Sequence, residues 1–360
     1  MSAAKVRVLV IDDSAFNRRS IVKMLESLPN VEVIGYACDG EEGLRKVIDL
    51  RPDLITLDLE MPRMDGFTLL RIVMQKQPTP VIVVSSRSDD EDVFKALELG
   101  AVEFVPKPSS KFSPILLDIR EEFLEKVREV TRANLKNVMA YSKTAGKQRD
   151  NLPKRAARLN ALTDAARGDF RMVVIGSSTG GPPALQSIFS AIQEEIPVAF
   201  AVAQHMPPVF TRTFAERLNR FSALKIREAA NGDIVRPGEV LIAPGGKNLE
   251  FFPKGADVIA KVSEPKGHQR YLPSVDTLFS SAAAMFGRRL LGVVLTGMGN
   301  DGAMGVHAIK QNGGTAFAEA EESCVVFGMP REAIATGLVD RVVVLPQVCK
   351  EILLHCRCGS

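Results

Sequence analysis

Short, nearly continuous apolar runs recur along the first third of this chain. Val6–Ile11, Val31–Tyr36, Leu54–Leu57, Val81–Val84 and Val102–Val105 are each of strand length. Between them, 15–28, 41–50, 67–75 and 90–99 repeat apolar residues at helical spacing, and 115–130 supplies a fifth such segment. Strands without polar alternation, each followed by an amphipathic helix, predict a parallel sheet covered on both faces. The expectation is a (βα)5 unit over residues 1–128.

The pattern then lapses. From Thr131 to Gly168 nine Lys/Arg stand against two Asp, with few large apolar residues. Residues 129–168 therefore read as a basic interdomain linker, either a solvated tether or a docking surface. Periodicity returns at Met172. Strands are expected at 172–175, 198–203, 240–242, 290–295, 315–318 and 342–345. Helices are expected at 183–193, 208–219, 275–286, 303–311 and 347–354. Residues 169–360 thus predict a second, doubly wound α/β domain with a mostly parallel sheet. No internal repeat is visible.

Composition narrows the classes. A chain of 360 residues is long for one core, which agrees with two domains. The net charge of +3 gives no general affinity for nucleic acid. No apolar run reaches the ~18 residues of a membrane span. Val6–Ile11 is cut short by Asp12-Asp13 and lacks the form of a signal peptide. Five scattered cysteines argue against a disulfide framework and for a reducing cytoplasm. His355, Cys356 and Cys358 could be read as metal ligands, but no second Cys/His pair lies near them in sequence.

Ligands of open α/β sheets sit outside the carboxyl ends of the strands. Four such ends in the first domain carry reactive groups: Asp12-Asp13, Asp58, Ser85 and Lys107. Gathered carboxylates repel one another unless a cation joins them, and oxygen donors suit Mg²⁺. Asp-Asp alone would be an ordinary solvated turn. The four together resemble a response-regulator receiver domain. Met61-Pro-Arg-Met-Asp-Gly66 matches that family's loop after the acceptor. The resemblance implies that Asp58 accepts a phosphoryl group and that Asp12, Asp13, Asp58 and the Glu60 backbone hold Mg²⁺. It also implies that Ser85 and Lys107 contact the phosphoryl group and that Phe104 is the switch aromatic.

In the second domain, Gly176-Ser-Ser-Thr-Gly180 follows a strand and precedes a helix. That G-x-S-x-G suits a nucleophile elbow with Ser178 at its tip, although a small residue in a tight turn would look the same. The segment is neither a dinucleotide fingerprint nor a Walker loop. A serine hydroxyl needs a base, and His205 follows a strand in Gln-His-Met-Pro-Pro. Asp301 in Thr-Gly-Met-Gly-Asn-Asp-Gly is a candidate orienting acid, or an N-cap of the helix it opens. Gly297, Gly299 and Gly302 around it could expose N–H groups for an oxyanion hole. Asp276 in Pro-Ser-Val-Asp is a rival acid, or a first-turn residue of a helix capped by Ser274. The order Ser…His…Asp differs from that of α/β-hydrolases, and triads are defined by geometry.

These motifs, with Ala243-Pro-Gly-Gly246, fall in the order of the chemotaxis protein-glutamate methylesterase family. Together with the receiver, the resemblance covers nearly the whole chain. It implies Ser178 as nucleophile, His205 as base and Asp301 as orienting acid, with Thr179 and Met298 lining the site. It further implies demethylation of glutamate methyl esters on methyl-accepting chemotaxis receptors, with release of methanol, and deamidation of certain receptor glutamines. A chemotaxis histidine kinase would be the phosphodonor, and the receiver would cover the active site until Asp58 is phosphorylated. A nucleotide-binding output domain would explain the Gly-rich turn but not Ser178 with His205. A DNA-binding output would need a recognition helix that is not visible.

Overall fold

The computed structural model describes residues 5–86, 90–107, 119–132, 170–267 and 269–357. The chain divides into two compact units, Met1–Arg149 and Asp150–Ser360. Among the described residues no helix is long and apolar enough to cross a membrane.

In the first unit, β1 (Val6–Ile11), β2 (Val31–Ala37), β3 (Leu54–Leu57), β4 (Val81–Ser86) and β5 (Glu103–Lys107) form a five-stranded sheet in the order β2-β1-β3-β4-β5. Every pairing is parallel. Val8, Leu9, Val10, Ile55, Ile82, Val83 and Val105 have at most 1 % exposure, as expected of strands without polar alternation. The helices are α1 (Ala15–Leu25), α2 (Gly40–Leu50), α3 (Gly66–Lys76), α4 (Asp90–Glu98) and α5 (Arg120–Arg132). The first ends before the expected Leu28. Leu28 precedes Pro29, which disfavours helical backbone, and the Ser27 hydroxyl donates to the Met24 carbonyl. The expected helix start at Ile115 and the basic linker lie largely outside the described residues.

The second unit is built on β6 (Arg171–Ser177), β7 (Val198–Gln204), β8 (Lys225–Glu228), β9 (Glu239–Ile242), β12 (Leu290–Val294), β13 (Thr315–Glu319) and β14 (Arg341–Val343). Their order is β14-β13-β12-β6-β7-β9-β8, parallel throughout. The helices are α6 (Gly181–Ser190), α7 (Pro208–Phe221), α8 (Val275–Phe286), α9 (Ala303–Gln311), α10 (Met329–Ala335) and α11 (Leu345–Arg357). An antiparallel hairpin of β10 (Asn248–Lys254) and β11 (Asp257–Ser263) packs on α8.

The sheet is wound outward in two directions from its centre. From β6 the chain runs to β7 on one side, and it returns to β12 on the other. Such a reversal opens a crevice at the carboxyl ends of the two adjacent strands, here β6 and β12. Ser178 follows β6, and Thr296 to Asp301 follow β12. Both faces of the central strands are buried: Met172 to Ile175 and Phe200 to Ala203 have no exposure.

Candidate active site

The elbow is shaped by close approach as much as by dihedral freedom. Gly180 has φ +78°, a conformation that favours glycine. Gly176 is extended, but a side chain there would collide with Val275 at the start of α8. Ser177 points inward with no exposure, while Ser178 is half-buried at the strand's end. The Ser178 N–H donates to the Thr296 carbonyl at 3.0 Å, tying the elbow to the neighbouring strand.

His205 follows β7, and its N–H donates to the Ser177 carbonyl at 3.0 Å. Its Nε2 lies 2.9 Å from Asp301 Oδ2. With Asp301 ionised, Nε2 carries the proton and Nδ1 keeps its lone pair. Gln204, only 2 % exposed, joins the two segments. Its amide NH₂ donates to the Ser178 carbonyl at 2.9 Å and the His205 carbonyl at 3.1 Å. Its Oε1 accepts from the Ser177 hydroxyl at 2.6 Å. Tyr271 stacks on the imidazole, with ring centroids 5.1 Å apart and planes 4° apart. Its hydroxyl sits against Gly299 (φ +85°), where a Cβ would strike the phenol oxygen.

Asp301 is not the N-cap of the helix that follows it; Gly302 occupies that place. Its carboxylate instead caps α8. Oδ2 accepts from Val275 N at 2.7 Å, and Oδ1 accepts from Asp276 N at 2.9 Å and the Ser274 hydroxyl at 3.3 Å. Asp276 does the converse: Oδ1 accepts from Gly302 N at 2.8 Å and Gly305 N at 2.6 Å, at the start of α9. Ser274 caps α8 as expected, accepting from Thr277 N at 3.2 Å. Each aspartate thus neutralises the N-terminus of the other's helix.

The electrostatics separate the two acids. Burial pushes the Asp276 carboxyl up to about 6, and the charge of Asp301 adds to it. For Asp301 burial acts in the same direction. The hydrogen bond and charge of His205, with the N–H groups of Asp276 and Val275, outweigh it and hold the carboxyl below its usual range. Asp301 is therefore the ionised partner of the imidazole. Of the glycines that were expected to offer N–H groups, two use theirs internally. Gly297 N donates to Val326 O at 3.0 Å, and Gly302 N donates to Asp276. Thr179 is buried within the elbow, and Met298 is half-buried in the turn after β12. The glycine in this turn that touches Ser178 is Gly297, where a Cβ would lie 2.7 Å from the serine Cβ.

His307 lies within α9 and His268 lies outside the described residues. His355 and Cys356 belong to the last turn of α11, with His355 edge-on to Phe317 at 5.8 Å, and Cys358 lies outside the described residues.

In the first unit, one carboxylate oxygen from each of Asp12, Asp13 and Asp58 falls within 4.8 Å of the others. Asp12 and Asp58 are buried and Asp13 is exposed. Asp12 Oδ2 accepts no hydrogen bond of ordinary geometry and faces the Lys107 ammonium at 3.0 Å. Lys107 also pairs with Asp58. Burial pushes Asp58 up to about 6 against the pull of Lys107. The Asp58 carboxylate also accepts from Glu60 N at 3.3 Å. An all-oxygen, underbonded, partly open set of this kind fits a hard divalent cation. Ser85 pairs with Pro106 at the end of β4. Phe104 is buried on β5, with the Lys126 ammonium 5.0 Å from its ring and 2.7 Å from its carbonyl oxygen.

Comparison with known proteins agrees with this division. Residues 173–352 match the family model of CheB methylesterase, and residues 8–116 match that of the response regulator receiver domain. A protein-glutamate methylesterase/protein-glutamine glutaminase of Geobacter sulfurreducens is 57% identical over 362 residues, covering 98% of both chains. One from Myxococcus xanthus is 47% identical over 348 residues, covering 96% of both. The crystal structure of the Thermotoga maritima CheB methylesterase catalytic domain superposes with a TM-score of 0.51 at 38% identity. That likeness covers 52% of this chain and 99% of the other.

Proposed function

This chain belongs to the CheB methylesterase family, and on that premise we propose that it is a phosphorylation-regulated hydrolase of chemoreceptor glutamate methyl esters. The same centre would deamidate particular receptor glutamines, as the relatives' names imply for those proteins. The observation that carries the reading is the 2.9 Å bond between His205 and Asp301 at the switch point where Ser178 is presented.

Ser178 Oγ attacks the ester carbonyl while the free His205 nitrogen takes its proton. Asp301 keeps the other nitrogen protonated and steadies the imidazolium that forms. The tetrahedral intermediate expels methoxide, which leaves as methanol with the proton from His205. Water then attacks the acyl-enzyme by the same proton route, freeing the glutamate and Ser178. For a glutamine the leaving group is ammonia. Thr179 and Met298 border the space in which the carbonyl oxygen becomes an oxyanion.

Control falls to the receiver, residues 1–128, joined through 129–168 to the catalytic part, 169–360. Asp58 accepts the phosphoryl group from a chemotaxis histidine kinase. Asp12, Asp13, Asp58 and the Glu60 carbonyl are the residues that would hold Mg²⁺, which when bound neutralises phosphoryl oxygens. Lys107 and Ser85 hold the added oxygens, and Phe104 reports the change. A cytoplasmic location suits the free thiols of Cys38, Cys324, Cys349 and Cys356. The deciding experiment is methanol release from methylated receptors by wild type and by Ser178→Ala. Equal rates would refute the assignment.

A further inference from the structure

Glu319 ends β13 with no solvent exposure. A buried carboxyl held by neutral donors is costly unless it has a task. Its position gives it one. The ladder between β12 and β13 stops at Val294 paired with Ala318. Beyond that point β12 swings toward the site, and the Thr296 N–H has lost the carbonyl that a continued strand would offer. Glu319 Oε2 accepts from it instead, at 2.8 Å.

Thr296 is the node of the centre. Its carbonyl accepts from Ser178 N at 3.0 Å. Its hydroxyl lies 3.0 Å from the Thr179 carbonyl and accepts from Val326 N at 3.0 Å. Two residues later comes Met298, and five later Asp301. We propose that Glu319 is a positioning residue of the esterase centre: by holding the Thr296 N–H it fixes the node from which the Ser178 elbow and the 296–301 turn both hang.

The second carboxyl oxygen explains how this buried site tolerates a proton. Ser323 Oγ lies 2.9 Å from Oε1 and 3.2 Å from the Ala320 carbonyl, and it accepts from Leu345 N at 2.9 Å. When Glu319 is ionised, the serine donates to it. When it is neutral, it donates to the serine, which turns its proton to Ala320. Oε2 accepts from Thr296 in both forms. Burial pushes the carboxyl up to about 7, so both occur near neutrality without loss of the clamp. What the centre needs is an acceptor at that point, charged or not.

This inference rests on the esterase reading, and two readouts keep them apart: methanol release from methylated receptors, and covalent labelling of Ser178 by a fluorophosphonate. Glu319→Gln preserves the acceptor and should stay within about twofold of wild type in kcat. Glu319→Leu fills the volume but orphans the Thr296 N–H. It should lower kcat roughly 10- to 100-fold with KM little changed, and slow Ser178 labelling by a similar factor. Glu319→Asp withdraws the carboxylate by one methylene and should fall between them; it carries the test if the leucine variant does not fold. Normal kcat and labelling in folded Glu319→Leu or Glu319→Asp would overturn the proposal. So would a rise in KM alone, or a Glu319→Gln variant as impaired as the leucine one. A wild type that labels but releases no methanol would instead sink the esterase reading and leave the positioning test intact.

Discussion

Asp301 divides its carboxylate between the imidazole and the end of a helix, so its substitution acts on two quantities. Asp301→Asn should lose roughly 10³- to 10⁴-fold in kcat through the wrong imidazole tautomer. It should also lose about 1–2 kcal/mol of stability, because an amide is a weaker cap for α8. Asp276→Asn should keep most activity. Collapse of Asp276→Asn with normal Asp301→Asn kinetics would exchange the two roles. Ser178→Ala should cost roughly six orders of magnitude in esterase rate with unchanged folding. Ser177→Ala, which only unties the Gln204 amide, should cost a few-fold. Glu319 also predicts a pH signature of stability. Its folded-state value near 7 is raised from the ordinary 4.5. Its contribution is therefore full below about 4.5 and gone once the pH passes about 7. Thermal denaturation of wild type against Glu319→Gln should show a gap that widens in favour of the glutamine from pH 4.5 to 7, then levels. A constant gap would mean that the carboxyl titrates normally.

The elements show where sequence reading succeeds and where it stops. Strands buried on both faces announce themselves as apolar runs, so the order of strand and helix was readable from β1 to β7. The hairpin of β10 and β11 was not. Asn-Leu-Glu-Phe-Phe-Pro-Lys carries a proline and two charged residues, and Asp-Val-Ile-Ala-Lys-Val-Ser has a single buried position, so neither reads as an apolar run although the pair packs on α8. Edge strand β8, Lys-Ile-Arg-Glu, has one buried residue and was equally hidden. The triad candidates were legible because each follows a strand or lies in a glycine-rich turn. Gln204, Tyr271 and Glu319 were not, since their roles come from contacts across 23 or more residues of sequence or from ring stacking. Two of the three glycines expected to offer N–H groups for an oxyanion hole fall out for a related reason: those of Gly297 and Gly302, which look free in sequence, are engaged by Val326 and Asp276. Gly299→Ala tests the packing of this turn. It should displace Tyr271 from the imidazole and lower kcat about tenfold or more, with a shift of the His205 ring resonances by NMR. Unchanged resonances would mean that the stack does not depend on that glycine.

At the scale of the whole molecule, the proposed control links Asp58 to a serine some 120 residues away. A fragment starting near Gly168 should be more active than the unphosphorylated full chain if the receiver covers the site. Asp58→Asn should keep basal activity and ignore a small phosphodonor with Mg²⁺, and Lys107→Ala should accept phosphate but transmit it poorly. Equal basal rates for fragment and full chain would exclude occlusion. The crossed aspartates of α8 and α9 bear on the same choice. Asp301 takes three hydrogen bonds from the start of one helix, Asp276 takes two from the start of the other, and His205 is bolted to the first. Any transition that withdrew the acid would strand both helix ends at once, a larger penalty than the few kcal/mol available from one phosphoryl group. A centre locked in this way should stand assembled whether or not Asp58 is phosphorylated, so an organophosphonate small enough to slip past a covering domain should inactivate the unphosphorylated protein almost as fast as the phosphorylated one. Only a bulky reagent, or the receptor itself, should register the difference.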